Sequence, residues 1–265
     1  MNKKVAIIGC EGFGTLLAQA LVDSGFTKPQ HIILTKRNMA SLKILEKKGV
    51  LVATDNNEAV RFADFIILDV KPIDVNDVLK GLRDELKNKK HVLCSLVTGI
   101  TFKQLQKIIV KKIPMARVII NPAVSLQESM NCICFKQIND EQRKYVEDLF
   151  NQLGRIIILN EKLMNAATIL SSCGTAYAMR YLSAHIKAGI EMGLSNDMAS
   201  LITAQTVKGA AELVLKNNSH PEQEINKITV TKKSITTGLK EMESQGFSLS
   251  LIRGITASYE KIGVE

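Results

Sequence analysis

An apolar run that ends in a glycine-rich turn, near the start of the 265-residue chain, constrains the fold more than any other feature. The run is Val5-Ala6-Ile7-Ile8, and the turn is Gly9-Cys10-Glu11-Gly12-Phe13-Gly14. Beyond the turn, apolar residues recur at the spacing of one helix face, at Leu16, Leu17, Ala20 and Leu21. The pattern predicts a buried strand, a tight turn and a helix that begins at the turn.

A strand, a turn and a helix start in this order can hold a phosphate group. The first turn of a helix presents unpaired N–H groups and a partial positive charge, and glycines let an anion approach the backbone. We therefore predict that the turn binds the pyrophosphate of a dinucleotide. Gly9 would make the turn and Gly14 would allow close helix–strand packing, and the predicted loop also includes Cys10, Gly12 and Phe13.

One residue of the turn conflicts with this role. Glu11 stands where such turns usually have their middle glycine, and a carboxylate beside a pyrophosphate is unfavourable unless it points into solvent. Gly12, one position later, restores some room. The alternative interpretation is a strand–helix connection without a ligand.

The end of the second predicted strand, His31–Leu34, carries cations and no acid. The residues that follow are Thr35, Lys36 and Arg37. In dinucleotide-binding folds an acid about 20 residues beyond the glycine turn holds the ribose of NAD, whereas a cation accommodates the 2′-phosphate of NADP. The sequence therefore favours NADP over NAD, and the alternative is a solvated strand end.

Strand and helix patterns alternate as far as about residue 160. Further strands are predicted at residues 50–53, 65–68, 92–95, 117–120, 131–135 and 155–159. Such alternation predicts an α/β fold with a parallel, doubly wound sheet, in which ligands bind beyond the carboxyl ends of the strands. Besides the loop and residues 35–37, the predicted cofactor residues are Asn56, Val70, Lys71, Pro72, Thr98, Gly99 and Asn121.

From about residue 161 onward only helical patterns occur. Long helices are predicted over Ala176–Met192 and, after a capping Ser195, over residues 197–216, and Gly238 is among the residues that separate the shorter helices beyond them. Both long helices carry apolar or small residues on several faces, so they need burial on several sides. A domain of about 100 residues provides little of it alone. We predict a dimer formed through this part of the chain.

The composition favours an anionic small-molecule partner. Lys and Arg outnumber Asp and Glu by 35 to 26, and the formal net charge is +9. The basic residues form scattered doublets without interleaved aromatics, so no nucleic-acid partner is predicted. No apolar stretch reaches the ~18–20 residues of a membrane span, so no membrane partner is predicted, and the first residues do not read as a signal peptide.

The cysteines and histidines carry no metal or disulfide signature. The five cysteines are odd in number and lack Cys-x-x-Cys spacing, which predicts reduced thiols and a cytoplasmic location. Cys132 and Cys134 would share one face of a strand. Four separated histidines give no ligand spacing, so no metal site is predicted.

Five stretches, in this order and at these spacings, resemble the pyrroline-5-carboxylate reductase family over nearly the whole chain. They are residues 66–72 with Val-Lys-Pro, 95–100, 173–177, 205–211 and 238–247. The resemblance implies a Rossmann-type NAD(P)-binding domain, residues 1–160, and an all-helical dimerisation and substrate domain, residues 161–265. It also implies NADPH, a homodimer or higher homo-oligomer, and hydride transfer to the C=N carbon of 1-pyrroline-5-carboxylate, which gives proline.

The resemblance further implies a turn that binds the substrate carboxylate across the dimer. Family members have Ser-Pro-Gly-Gly-Thr-Thr there, and this chain has Val230-Thr231-Lys232-Lys233-Ser234-Ile235. Ile235 cannot hydrogen-bond the imine nitrogen as the family's second threonine does, so Ser234 and Thr229 are the substitutes we predict, with Lys71 as a third catalytic candidate. The residues expected at the substrate are Cys173, Gly174, Thr175, Val230, Thr231, Lys232, Lys233 and Ser234.

The departures from the family pattern concentrate in loops that touch ligands. Besides the altered turn and Glu11, Ile120 replaces a common proline and Ser183 a common glutamate. Three functions therefore stay open. The first is a reductase of 1-pyrroline-5-carboxylate, and the second is a catalytically weak or silent paralogue with a binding or regulatory role. Another small-substrate dehydrogenase of similar architecture is a third.

Overall fold

The computed structural model describes residues 3–10, 12–36, 42–229 and 233–262. The chain divides into two compact units. The first unit runs to Cys173 and includes Lys261 and Ile262, and the second unit is Gly174–Glu260. All strands of the described residues lie in the first unit, and the second is helical.

The first unit is built on one eight-stranded sheet. The strands are β1 Val5–Ile8, β2 Ile32–Thr35, β3 Leu51–Ala53, β4 Phe65–Leu68, β5 Val92–Ser95, β6 Met115–Ile119, β7 Ser129–Lys136 and β8 Gly154–Ile158. Their order across the sheet is β3-β2-β1-β4-β5-β6-β7-β8, and the first six are parallel. The order reverses between β1 and β4, which is where dinucleotide-binding folds place their ligand.

Helices cover both faces of this sheet. They are α1 Gly14–Asp23, α2 Lys43–Lys47, α3 Asn56–Phe62, α4 Val75–Leu82, α5 Phe102–Ile109, α6 Asp140–Asn151 and α7 Met164–Thr168. Alternate residues of a strand point to opposite faces, so Val5 and Ile7 join the core under α1 and α6, and Ala6 and Ile8 join the core under α3, α4 and α5. Burial on both faces explains why the strands are continuous apolar runs.

The predicted α/β fold is confirmed, but the prediction of a wholly parallel sheet is wrong at β7. This strand runs antiparallel to β6, with Arg117 opposite Cys134. The link between the two strands contains only the 3-10 turn Pro122–Leu126. A parallel crossover needs about a dozen residues or more, so the chain turns back on itself. Helix α6 then provides the crossover to β8, which pairs parallel with β7.

The predicted inner face of α1 is also wrong in part. Leu16 is 39% exposed, whereas Gly14, Leu17, Ala18 and Leu21 are buried. These four follow the i, i+3, i+4, i+7 spacing counted from Gly14, which is the row that one side of a helix presents. The predicted face began at Leu16 instead.

The second unit is helical as predicted, with two long helices followed by shorter ones. They are α8 Gly174–Glu191, α9 Asn196–Asn217, α10 Pro221–Thr229, α11 Lys233–Ser244 and α12 Phe247–Lys261. Ser195 caps α9 through its hydroxyl, which accepts the N–H of Met198 at 3.3 Å. Gly238 was predicted to separate two helices, but it lies inside α11. A single glycine costs a helix only about 1 kcal/mol, so neighbouring residues can carry the helix through it.

The helices of the second unit bury little within the chain. Ala199 and Thr203 are the buried residues of α9, and α10, α11 and α12 have none among the described residues. Most exposed large apolar side chains lie in this smaller unit, among them Met192, Leu201, Ile202, Leu215, Leu249 and Ile252. Among the residues that the structure describes, no helix has the length and apolar character needed to cross a membrane.

Candidate functional site

Gly9 turns the chain where β1, β2 and β4 end together. Its N–H donates to the backbone oxygen of Thr35 at 3.1 Å, and its φ is +99°. A Cβ on Gly9 would lie 2.6 Å from the backbone oxygen of Asp69 and would overlap the side chain of Val70. Only glycine combines this backbone conformation with so close an approach.

Asp69, directly after β4, accepts hydrogen bonds from the start of α1. Its Oδ2 accepts the N–H groups of Gly12 at 3.0 Å and Gly14 at 2.7 Å, and its Oδ1 accepts that of Phe13 at 3.3 Å. Asp69 is only 6% exposed. A carboxylate satisfies the unpaired donors of a helix start and interacts favourably with its partial positive charge. The buried carboxylate of Asp69 therefore caps α1.

Asp69 was not predicted to be part of the site. The available signal was an acid that directly follows a buried strand, since β4 is the strand next to β1 in the sheet. Acidic residues are otherwise unusual at a buried strand end. The carboxylate that the analysis did single out, Glu11, lies outside the described residues.

The other two glycines of the turn make room for Asp69. A Cβ on Gly12 would lie 2.9 Å from Asp69 Oδ1, and one on Gly14 would lie 2.8 Å from Asp69 Oδ2 and 2.8 Å from Ile7 Cγ2. The contact with Ile7 agrees with the predicted close packing of α1 on β1. The close approach of Asp69 and Ile7 therefore requires these glycines whether or not a ligand binds at the turn.

A cavity of about 180 Å³ opens beside the turn, at the carboxyl ends of the strands. Five predicted cofactor residues line it together, which are Gly9, Thr35, Lys36, Asn56 and Val70. The analysis missed its other lining residues, Thr54, Asp74 and Val78. Thr54 directly follows β3, and Asp74 follows β4 through Lys71-Pro72, so their positions after strand ends were the available signal.

The polar groups of the cavity include both signs of charge. Lys36 supplies a cation and Asp74 a carboxylate. Thr35 is buried, and its Oγ1 lies 3.2 Å from the N–H of Gly9, which leaves the hydroxyl its own hydrogen to donate. Arg37, the second predicted cation, lies outside the described residues.

Other predicted cofactor residues are not among those that line the cavity. Cys10 is buried with φ +46°, so any contact with a ligand would come from its backbone. Lys71 is exposed and precedes the 3-10 turn that begins at Pro72. Thr98 and Gly99 form the turn after β5, where Gly99 has φ +79°. Their roles stay predictions.

Asn121 connects the end of β6 to a π-helical turn. Its N–H donates to Ser129 Oγ at 3.1 Å, and its side-chain Nδ2 donates to the backbone oxygen of Ser171 at 3.5 Å. Ser171 belongs to the π-helical turn Ile169–Cys173, and such turns occur frequently at functional sites. The predicted cofactor residue Asn121 therefore supports the turn that ends at the predicted substrate residue Cys173.

The other predicted substrate residues lie in the second unit or outside the described residues. Gly174 and Thr175 open α8. Thr229 ends α10, and its hydroxyl donates to the backbone oxygen of Asn226 at 3.1 Å. Lys233 and Ser234 are exposed in the first turn of α11. Val230, Thr231 and Lys232 lie outside the described residues, so the predicted substrate turn stays a prediction.

The cysteines are suited to packing rather than to catalysis. All five are present as thiols, and Cys173 alone of them is partly exposed. Burial raises the pKa of Cys94 to about 12 and that of Cys134 to about 11, so neither forms a nucleophilic thiolate near neutral pH. Within the described ranges, no group of three or more His, Cys, Asp or Glu side chains is placed to hold a metal ion.

The strand order, the glycine turn and the cavity at the strand ends define the dinucleotide-binding class of α/β proteins. A family model described as NADP oxidoreductase, coenzyme F420-dependent, matches residues 4–99, and one described as pyrroline-5-carboxylate reductase dimerisation matches residues 161–263. Pyrroline-5-carboxylate reductase 2 of Dictyostelium discoideum is 36% identical over 98% of the chain and 92% of its own length. The chain belongs to the pyrroline-5-carboxylate reductase family.

Other comparisons agree with this assignment. Pyrroline-5-carboxylate reductase 1 of Dictyostelium discoideum is 34% identical over 97% of the chain, which spans only 49% of that relative. The pyrroline-5-carboxylate reductase structure from Coxiella burnetii has a TM-score of 0.90 at 25% identity, covering 98% of this chain and 97% of the other. The structure from Plasmodium falciparum, with NADP bound, has the same TM-score at 24% identity and covers 99% and 98%.

We predict that Gly9→Ala destabilises the protein by about 2–4 kcal/mol, because it combines an unfavourable φ with overlap against Asp69 and Val70. The control is Gly81→Ala in α4, where nothing lies within 4 Å of an added Cβ. That change should stabilise the helix by up to about 1 kcal/mol. Urea unfolding measures both, and equal stabilities for the two variants would contradict the description of the turn.

Proposed function

We propose that the protein reduces the C=N bond of 1-pyrroline-5-carboxylate with NADPH and forms proline, as a step of proline biosynthesis. The observation that carries the proposal is the 36% identity to Pyrroline-5-carboxylate reductase 2 of Dictyostelium discoideum over nearly the full length of both chains. The dinucleotide-binding fold and the cavity at its strand ends support it.

The residues around the cavity fit NADP as the cofactor. Gly9 has no side chain to exclude a ligand, and the hydroxyl of Thr35, the amide of Asn56 and the cation of Lys36 line the same space. No acid follows β2 to hold the ribose of NAD, and Lys36, which follows β2 instead, would pair with a 2′-phosphate. When bound, the cofactor supplies the hydride, so the protein mainly orients the two reactants. The carboxylate of Asp69 conflicts with this fit, because it already occupies the N–H groups at the start of α1.

The substrate has a carboxylate to hold and an imine nitrogen that gains a proton. For the carboxylate we assign the turn at residues 230–235, whose Lys232 and Lys233 carry positive charge. Cys173, Gly174 and Thr175 are the other substrate residues that we propose. For the proton we assign the hydroxyls of Ser234 or Thr229, or the ammonium of Lys71. Thr229 would have to leave its hydrogen bond to Asn226 to act.

A catalytically weak or silent paralogue is the second candidate function. The altered turn favours it, because Lys232 and Lys233 cannot adopt glycine geometry and Ile235 has no hydroxyl.

The two candidates differ in a direct assay. Purified protein is incubated with 1-pyrroline-5-carboxylate and NADPH, and proline is quantified by chromatography. Proline formation supports the reductase, and its absence at high enzyme concentration supports the silent paralogue.

We predict that the altered turn weakens catalysis, so the combined variant Lys232→Gly, Lys233→Gly and Ile235→Thr should form proline at least about tenfold faster than the parent. The restored hydroxyl would lower the activation barrier by at most a few kcal/mol, and so would the closer approach of the substrate to the backbone. The control variant is Ile44→Thr, which makes the same change at an exposed isoleucine of the first unit. A fast parent with an unchanged triple variant would contradict the prediction.

We predict that Lys36→Ala weakens NADPH binding about tenfold and leaves NADH binding unchanged, because only NADPH carries the 2′-phosphate that Lys36 would pair with. Tenfold corresponds to about 1.4 kcal/mol, near the lower end for a hydrogen bond to a charged group. The control is Lys28→Ala, an exposed lysine that precedes β2 at its opposite end. Calorimetric titration measures both dinucleotides, and equal losses for the two would refute the assignment.

We further propose that residues 161–265 form the dimerisation and substrate domain, after a cofactor domain of residues 1–160, and that the chain is a homodimer or a higher homo-oligomer. The dimerisation model matches residues 161–263, and the helices there expose many large apolar side chains. Large apolar patches that one chain leaves exposed mark protein–protein contacts. A second copy of the chain would bury it.

We predict that Ile202→Glu in α9 converts the dimer to a monomer. Ile202 is 51% exposed within one chain, so the change leaves the fold of the chain intact but places a charge in the proposed contact. Ile44→Glu is the matched control, since Ile44 is 70% exposed in the first unit. Sedimentation velocity at micromolar concentration should give a monomer for Ile202→Glu alone, and a monomeric wild-type protein would contradict the proposal.

We also propose a cytoplasmic location. The support is that all five cysteines are present as thiols, which suits a reducing compartment. Fractionation of cells that produce the chain tests it, and recovery in the oxidising compartments would contradict it.

A further inference from the structure

The N–H groups at the start of α1 already have an anionic partner within the chain. Three consecutive donors, those of Gly12, Phe13 and Gly14, converge on the carboxylate of Asp69 at 2.7–3.3 Å. The carboxylate is held in place from the sheet, since the N–H of Asp69 donates to the backbone oxygen of Ile8 at 2.9 Å. Asp69 is buried, so water does not compete for these hydrogen bonds.

A dinucleotide needs the same donors. In folds of this class the pyrophosphate lies at the start of the helix that follows the first strand, and it accepts hydrogen bonds from the N–H groups there. Each N–H carries one hydrogen, so an N–H that donates to Asp69 is not available to a phosphate oxygen. A pyrophosphate and a carboxylate at one helix start also repel each other, and burial weakens the screening between them.

We propose that Asp69 sets the affinity for the dinucleotide by competing with its pyrophosphate for the start of α1. This inference rests on the proposed cofactor. In the protein without ligand, Asp69 caps α1 and holds the glycine turn in shape. In the complex, the charge of Asp69 and its hydrogen bonds to the three N–H groups oppose the binding of the pyrophosphate.

The competition gives Asp69 two effects of opposite sign. Removing its charge removes the cap, so the free protein becomes less stable. The same change releases donors and removes a repulsion, so the pyrophosphate binds more tightly. A residue that only caps the helix would differ, because its loss would disorder the turn and weaken both stability and binding.

The test uses two ligands that differ in the pyrophosphate. NADPH contains it, whereas 2′-AMP has the adenosine and the 2′-phosphate without it. Asp69→Asn keeps the size of the side chain and removes its charge, and Asp69→Ala frees all three donors should the asparagine variant fold poorly. The control is Asp77→Asn, which removes a carboxylate from the first turn of α4 outside the cavity.

The expected result is that Asp69→Asn lowers the calorimetric Kd for NADPH about tenfold, leaves that for 2′-AMP within about twofold, and lowers the melting temperature of the free protein. Asp77→Asn should leave all three values close to those of the wild type. Unchanged or weaker NADPH binding with unchanged 2′-AMP binding would overturn the inference alone. Absence of binding of both ligands to the wild type and to both Asp69 variants would overturn it together with the proposed cofactor.

Discussion

The hydrogen bonds between the Asp69 carboxylate and the start of α1 connect the features on which the site depends. They join the end of β4 to the turn after β1, two strands that are neighbours in the sheet but lie about 60 positions apart in the chain. Gly12 and Gly14 are required because a Cβ on either would meet this carboxylate. Gly9 is required because the same strand end, at Asp69 and Val70, packs against it. One buried carboxylate therefore accounts for most of the glycine pattern.

Much of the first unit could be predicted from the sequence because its signals are local. The strands at residues 65–68 and 92–95 lie where the apolar runs predicted them, and five of the cavity's lining residues follow from the rule that ligands bind beyond strand ends. The reversal at β7 was not predicted, because strand direction depends on the length and shape of the link before it. Asp69 was missed because its partners lie more than 50 residues away, and periodicity does not report such contacts.

Local sequence signals predict less of the second unit. The helices α8 and α9 and the cap at Ser195 follow from local pattern and are present. The partner of their apolar faces is not in the chain's own fold, since side chains such as Leu201 and Leu215 stay exposed within one copy. The substrate turn proposed at residues 230–235 is predicted only through family resemblance, because no periodic or metal-ligand pattern marks it. Its lysines and Ile235 are the residues in which this family member departs most from the expected chemistry.

In the proposed competition, the dinucleotide and Asp69 use the same three N–H groups at the start of α1. The most direct measurement is a proton–nitrogen correlation spectrum of the wild-type protein, titrated separately with NADPH and with 2′-AMP. We expect the amide signals of Gly12, Phe13 and Gly14 to move on saturation with NADPH and to keep their positions with 2′-AMP. Signals that keep their positions at saturating NADPH would contradict it, because Asp69 would then hold its donors whether or not the pyrophosphate is bound.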